Sequence, residues 1–337
     1  MRKVLITGAT GFLGTHLVNL LLEKPLEEVP ECSVRLLCRK DNPWEGNARV
    51  ETAQGDVLDR ASVGAAVRGV ESIIHLAGLV ARDPRTSSRM LETHIEGTRN
   101  VCEAAVAEGK PKLIIASSSG TIAASREPLT HTEDSPYAID VAGHWPYYLS
   151  KIYQEKTAIS YYRKESLPVV TLNPSLLLGP GDTRSSSTND VRMFLNRQIT
   201  NIPGGGLNFV DVRDAAACFV SAIENGRAGR RYLIGGHNMT IREFFFLIQW
   251  VSGVRAPLLS LPESWSRRGA NVLRRGMELI GRTFPLDDRT IEMAYRFWYL
   301  DNTRARKELG LDPRPADQTV RDTVGFLQRN KPQVLAS

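Results

Sequence analysis

The sequence predicts an α/β protein, a doubly wound parallel sheet with a smaller, mostly helical C-terminal lobe. Three observations carry this expectation. Short apolar runs at residues 4–7, 34–38, 72–76, 113–116 and 169–172 alternate with stretches of helical character, the pattern of parallel strands joined by helical crossovers. Each run is nearly all apolar, as strands covered on both faces are. The 337 residues suffice for one large domain and a smaller lobe, at about 150 residues per domain.

The first run leads into Thr7-Gly8-Ala9-Thr10-Gly11-Phe12-Leu13-Gly14, a glycine-rich turn that opens a helix. Gly8 lets the chain leave the strand in a conformation closed to side chains, Gly11 lets the backbone approach a diphosphate, and Gly14 lets the helix pack on the sheet. The helix start offers free N–H groups and a positive dipole end, so the turn reads as the dinucleotide cradle of a Rossmann-type sheet. Tight turns also use glycine for purely conformational reasons, and Gly8-x-x-Gly11-x-x-Gly14 departs from the commoner G-x-G-x-x-G. A second, independent constellation is therefore required.

Tyr147-Tyr148-Leu149-Ser150-Lys151 supplies it. Residues 146–160 read as a helix with Pro146 at its first position, which places Tyr147 and Lys151 one turn apart on a shared face. An ammonium beside the phenol stabilises the phenolate and brings a group of ordinary pKa about 10 closer to proton transfer at neutral pH. Tyr148 is the weaker candidate, and a tyrosine/lysine pair at this spacing is also an ordinary surface pattern.

Together the two constellations resemble the TGxxGxxG and YxxxK motifs of the short-chain dehydrogenase/reductase superfamily. The resemblance is to its extended branch, the NAD-dependent epimerase/dehydratase family, and within it to the dihydroflavonol reductase and 3β-hydroxysteroid dehydrogenase-like group. It covers nearly the whole chain: Gly55-Asp56-Val57, Ile73-Ile-His-Leu-Ala-Gly78, Glu96-Gly-Thr98, Leu113-Ile-Ile-Ala-Ser-Ser-Ser-Gly120, Asn173-Pro-Ser175, Leu178-Gly-Pro-Gly-Asp182 and Phe209-Val-Asp-Val-Arg-Asp214 all fall in that branch's order.

The resemblance implies a Rossmann domain over residues 1–172 with returning segments near 208–236, and a substrate-binding lobe made of 173–207 and 237–337. It implies Ser118, Tyr147 and Lys151 as the catalytic set, with Ser119 taking the serine's place if the strand register slips by one and Ser117 alternating away. The implied cofactor contacts are Gly8, Thr10, Gly11, Phe12, Leu13, Arg39, Lys40, Asp56, Val57, Leu76, Ala77, Gly78, Tyr147, Lys151, Pro174 and Ser175. The implied substrate contacts are Val80, Ser119, Asn173, Leu177 and Arg213. His94 stands where the branch has asparagine in V-N-V-E-G-T; it reads as a satisfied packing histidine in preference to a proton relay. The polar run 183–189 reads as a mobile substrate loop. Homodimerisation through helices near 97–108 and 147–164 follows only by analogy.

The second strand ends Leu36-Leu37-Cys38-Arg39-Lys40, with Asp41 two positions past the tip. An acidic residue there selects NAD(H) and a basic one accommodates a 2′-phosphate, so charge placement favours NADP(H) over NAD(H). For the substrate, sugar-nucleotide enzymes of the branch often carry an Arg-Pro-Gly-Asp-like segment before the closing helix, where this chain has Met293-Ala-Tyr-Arg-Phe-Trp-Tyr299. Residues 244–251 and 258–265 are apolar as well. The expected activity is thus reduction of a carbonyl, or oxidation of the matching secondary alcohol, in a mainly hydrophobic small molecule. The alternatives are a nucleotide-sugar epimerase or dehydratase with retained cofactor, with Arg192, Arg213 and Arg296 holding a diphosphate, and a non-catalytic NAD(P)-sensing regulator. The aromatics have a second reading as lobe core.

The 43 basic and 37 acidic residues form no dense basic patch with interleaved aromatics, so nucleic acid is not implied. Cys32, Cys38, Cys102 and Cys218 lack metal-ligand spacing and read as buried thiols of a reducing compartment, with no metal and a cytoplasmic location. No apolar stretch reaches membrane-spanning length. Arg267, Arg268, Arg274 and Arg275, interspersed with Trp265, Val272, Leu273, Met277, Leu279 and Ile280, form a basic amphipathic segment able to rest on an anionic membrane; a solvated helix over the lobe is the plainer reading.

Overall fold

A computed structural model describes residues 2–23, 32–40, 42–80, 87–279 and 288–330. Its elements in chain order are β1 (Arg2–Thr7), α1 (Phe12–Glu23), β2 (Cys32–Cys38), β3 (Val50–Gln54), α2 (Arg60–Val67), β4 (Ser72–His75), α3 (Ser87–Ala107), β5 (Lys112–Ala116), α4 (Ile139–Ala142), α5 (Pro146–Glu165), β6 (Val169–Pro174), β7 (Leu176–Leu178), α6 (Asn189–Leu195), β8 (Gly206–Asp211), α7 (Val212–Asn225), β9 (Arg231–Ile234), β10 (His237–Thr240), α8 (Ile241–Ser252), α9 (Glu263–Leu279), α10 (Asp288–Met293), α11 (Thr303–Leu309) and α12 (Ala316–Arg329).

Seven strands form one parallel sheet in the order β3-β2-β1-β4-β5-β6-β9. The expected Rossmann-type α/β class is the observed one. Alternation along each strand explains its two covered faces: Val4, Ile6, Val34 and Leu36 pack with α1, α7 and α11 through Leu17, Val18, Phe219 and Leu309. Leu5, Leu37, Ile73 and Ile115 pack the other way, against Val63 and Val67 of α2, Val101 of α3 and Ala158 of α5. The strand order reverses between β1 and β4, where the loops leaving the carboxyl ends diverge and a crevice opens, the usual ligand position of such sheets.

Helix α5 starts at Pro146, as the sequence predicts, and continues to Glu165, where Ser166 adopts φ +56° and ends it. The lobe expected to be mostly helical also holds a small sheet, β10-β8-β7. These strands are three to six residues long, too short for a period-two signal. Phe244, Phe245 and Ile248 of α8 are buried with Val320, Val324 and Leu327 of α12, so this face of the 244–251 segment is lobe core, while Phe246 and Trp250 are exposed; an amphipathic helix must bury its apolar stripe. The polar run 183–189, expected as a mobile loop, is fastened to Asp182. That carboxylate, 1% exposed, accepts from the N–H groups of Ser186, Ser187 and Thr188 and from the hydroxyls of Ser186 and Thr188. Burial alone would raise its pKa, but these bonds hold it below the ordinary value.

Candidate active site

The glycine turn behaves as its spacing predicts. Gly8 adopts φ +74°, and a Cβ on it would come within 2.7 Å of the Ala77 nitrogen; one on Gly14 would collide with the Gly8 and Ala9 carbonyl oxygens. Gly11 meets only the Gly8 carbonyl oxygen, at 3.2 Å, on its Cβ side, which leaves backbone open to a ligand. Thr7, at the end of β1, accepts from Ala77 N–H and bonds His75 Nδ1 at 2.7 Å, joining the turn to the loop after β4. His16 of α1 bonds the Pro180 carbonyl oxygen at 2.8 Å, so Leu178-Gly-Pro-Gly-Asp182 lies beside the same turn.

Helix α5 turns Ser150, Lys151, Gln154 and Glu155 inward. The Tyr147 phenol lies beside Ser118, the serine that the family resemblance implies. Burial pushes the phenol up to about 12, and the Ser118 side chain opposes this. Lys151 departs from expectation. Its ammonium donates to the Ala116 carbonyl at 2.8 Å and to Gln154 Oε1 at 2.9 Å, and the influences on the phenol are burial and Ser118. A buried ammonium has to find acceptors, and the strand-end carbonyl provides one. Burial pushes Lys151 down to about 7, with Glu155 opposing.

A buried polar chain supports this lysine. Gln154 Nε2 donates to Thr98 Oγ1, which also bonds His75 Nε2, each at 3.0 Å. His94 accepts from Leu79 N–H through Nε2 at 3.1 Å, so Nδ1 carries the proton that it shares with Ser150 Oγ at 2.7 Å. Ser150 in turn donates to the Tyr147 carbonyl. Burial and the charges of Lys151 and His75 hold the imidazole neutral, well below its usual pKa. The histidine is satisfied on both nitrogens, and it ties the loop after β4 to the helix bearing Tyr147.

Of the remaining serines, Ser117 donates to Glu155 and Ser119 is 6% exposed within a single 3-10 turn, Ser119–Thr121. Glu155 was not singled out in the sequence. Its carboxylate, fully buried, also accepts from Thr121, Tyr137 and Asn173 and pairs with Arg231 at 2.9 Å. The signal for it existed: Glu155 continues the Tyr147, Lys151 spacing by one more turn.

Several expected substrate contacts have partners within the protein. Asn173 is fully buried and gives its amide to the Ser118 carbonyl oxygen, Thr121 and Glu155, so it braces the serine turn. Leu177 packs against the sheet core. Arg213 is held by Asp211 and Asp322, and Arg296 by Glu263 and Glu292. Arg192 has its Nε buried without a hydrogen-bond partner. Val80 is exposed. Tyr148 stacks on Trp298 at 5.0 Å and touches Tyr147 edge-on at 5.2 Å, so part of the 293–299 segment does form an aromatic wall next to Tyr147.

A nicotinamide dinucleotide fits these residues. The turn leaves Gly11 open, Ser175 Oγ at the carboxyl end of β6 is buried without a partner, and Arg39 and Lys40 stand exposed at the tip of β2. Asp56 approaches Arg39 at 3.9 Å and accepts from Leu58 N–H. Val57, Leu76 and Pro174 end up at or beside the carboxyl ends of β3, β4 and β6. Asp41 lies outside the described residues.

Residues 4–235 match the profile of the NAD dependent epimerase/dehydratase family. The chain belongs to that family. Like other members of this extended short-chain dehydrogenase/reductase branch, it is an NAD(P)-binding enzyme of the oxidoreductase or epimerase kind. It is similar to "Sterol demethylase protein B" of Methylococcus capsulatus, with 28% identity over 343 residues, covering 96% of this chain and 98% of that one. It is similar also to cinnamoyl-CoA reductase 1 of Oryza sativa subsp. japonica, with 32% identity over 248 residues, 69% and 71% of the two chains. The fold matches the dTDP-glucose 4,6-dehydratase DesIV of Streptomyces venezuelae with a TM-score of 0.74, 23% identity and 98% of each chain covered.

Proposed function

We propose that the protein is an NADP(H)-dependent oxidoreductase that reduces a carbonyl of a mainly hydrophobic small molecule, or oxidises the matching secondary alcohol. The observation that carries this reading is that Tyr147 lies beside Ser118, whose side chain opposes the rise in the phenol's pKa, with Lys151 one turn away on the same helix. The nicotinamide, held by the glycine turn, by Lys151 at its ribose and by the end of β6, supplies the hydride when bound. Tyr147 gives its proton to the carbonyl oxygen, Ser118 hydrogen-bonds that oxygen, and the phenolate recovers a proton from solvent. Oxidation uses the same groups in reverse.

Arg39 and Lys40 favour NADP(H) because they meet a 2′-phosphate where an NAD-selective site presents a carboxylate. Two features favour an apolar substrate: the aromatic wall of Tyr148 and Trp298, and the engagement of Arg213 and Arg296 by two carboxylates each, which leaves neither free for a sugar-nucleotide diphosphate. The relatives named for a sterol and for a cinnamoyl thioester point the same way. In this reading the dinucleotide occupies residues 1–172 with 208–236, and the substrate lies against 173–207 and 237–337.

The test is incubation with NADPH and a panel of bulky ketones and aldehydes. Net NADPH consumption with alcohol formation is expected. Conversion of a nucleotide sugar by protein that keeps its cofactor, without net turnover, would replace this reading with an epimerase.

A further inference from the structure

Helix α9 sorts its cations into two sets. Those turned toward the protein are neutralised: Arg267 pairs with Glu263 and Arg274 with Asp288. On the same inward side Ala270 is buried and Ser266 bonds the Tyr295 hydroxyl. Those turned outward, Arg268 and Arg275, are exposed, and the structure shows no carboxylate against either among the described residues. Beside them, Trp265 and Val272 are 63% and 71% exposed, and Leu258 and Leu259, in the segment leading to the helix, are 94% and 62% exposed. Trp265 and Val272 are two turns apart and form one row. Arg268 and Arg275, three residues beyond each, form a parallel row alongside it. Arg255 adds an exposed cation just upstream. Of the sequence segment that suggested this face, the side chains of Leu273, Met277 and Leu279, and all of Ile280, lie outside the described residues.

We propose that this outward face of α9, with Leu258 and Leu259, docks on an anionic lipid surface. The pattern matches what such a surface recognises: an apolar row with a tryptophan to enter the headgroup boundary, flanked by arginines that reach lipid phosphates. A second copy of this chain is the poorer occupant, because a two-fold contact would set the arginine row of one face against that of the other. Among the described side chains of α9 the carboxylate is Glu263, which is taken up by Arg267 and Arg296; the side chain of Glu278 lies outside the described residues. Tyr295, which holds α9 through Ser266, precedes the Trp298 that stacks on Tyr148, so a docked α9 lies against the same segment as the aromatic wall.

The full chain is mixed at low salt with sedimentable vesicles of phosphatidylcholine alone, or of phosphatidylcholine with phosphatidylglycerol. Binding to the anionic vesicles alone, reversed by high salt, is expected, weakening about fivefold for each of Arg268→Gln and Arg275→Gln. Trp265→Ala should weaken it further while thermal unfolding stays that of the parent. Three results would each overturn the proposal: no binding to anionic vesicles at low salt, binding that the double arginine variant leaves unchanged, or lipid-free self-association that Trp265→Ala abolishes. The last would assign the face to a second copy.

Discussion

Lys151 stands one helical turn beyond Tyr147 yet delivers its ammonium to the Ala116 carbonyl at 2.8 Å, which anchors the base of the candidate acid to the end of β5. The lysine thereby sits between strand and helix, deprived of water. Burial moves its pKa from 10.5 to about 7.

That depression sets a stability profile. Between about pH 7 and 10.5 the unfolded chain keeps a proton on this lysine that the folded chain has released, so stability rises with pH across that window. Above pH 10 the raised Tyr147 acts in the opposite direction, because the folded state then holds the extra proton up to about 12. The thermal midpoint of cofactor-free protein should climb from pH 7 to 9 relative to Lys151→Met, which lacks this titration. Parallel curves for the two proteins would show that the lysine is not desolvated.

Replacing the proton donor separates chemistry from binding. Tyr147→Phe keeps the ring against Tyr148 and His94 but removes the hydroxyl, and kcat should fall by about 10²–10⁴ with little change in cofactor affinity. Ser118→Ala, which removes one donor to the reacting oxygen, should cost about 10²–10³. Steady-state carbonyl reduction and cofactor titration check both, and a Phe variant of near-parental kcat would dismiss the assigned chemistry.

Cofactor choice rests on the tip of β2. Arg39→Ala should weaken NADPH binding by about tenfold to a hundredfold, the loss of a charged hydrogen bond to phosphate at ~1.5–3 kcal/mol, and leave NADH unaffected. Side-by-side titrations with the two nucleotides measure this; equal losses for both would assign Arg39 to a role unrelated to the 2′-phosphate.

Glu155 should be the costliest side chain of α5 to replace. Glu155→Leu strands Arg231 and removes an acceptor shared by the Ser117, Thr121 and Asn173 donors, an expected loss of about 3–5 kcal/mol in denaturant unfolding. Glu155→Gln, which keeps an acceptor oxygen, should lose less. Equal losses would mean that the ion pair and not the hydrogen-bond set governs the site.

The sheet, the glycine turn and the start of α5 were legible because each depends on local pattern: apolar runs, a turn that only glycine tolerates, and a proline at the first helical position. Ser118 was named only through the family resemblance, with Ser119 one register step away. Tertiary partners were not legible. Nothing local to Lys151 announces that Ala116, 35 residues earlier, will take its ammonium, nor does the serine-rich run after Asp182 reveal that a buried carboxylate gathers it. Asn173 looked like a ligand contact from its place at a strand end, yet its neighbours across the fold take its Nδ2 hydrogens. Arg213 and Arg296 looked available as cations until their carboxylates came into view, one of each close in sequence (Asp211, Glu292) and one from a distant helix (Asp322, Glu263).

The position of β9 at the margin of the large sheet has a consequence for how the chain is built. The strand that completes the hydrogen bonding of β6 begins at Arg231, the same residue that neutralises Glu155 inside α5. A nascent chain cannot pair the buried Glu155 of α5 until more than sixty residues beyond that helix's end have left the ribosome. Any truncation that drops this late strand strands a buried anion as well as an open sheet edge, so α5 and the C-terminal half must mature together.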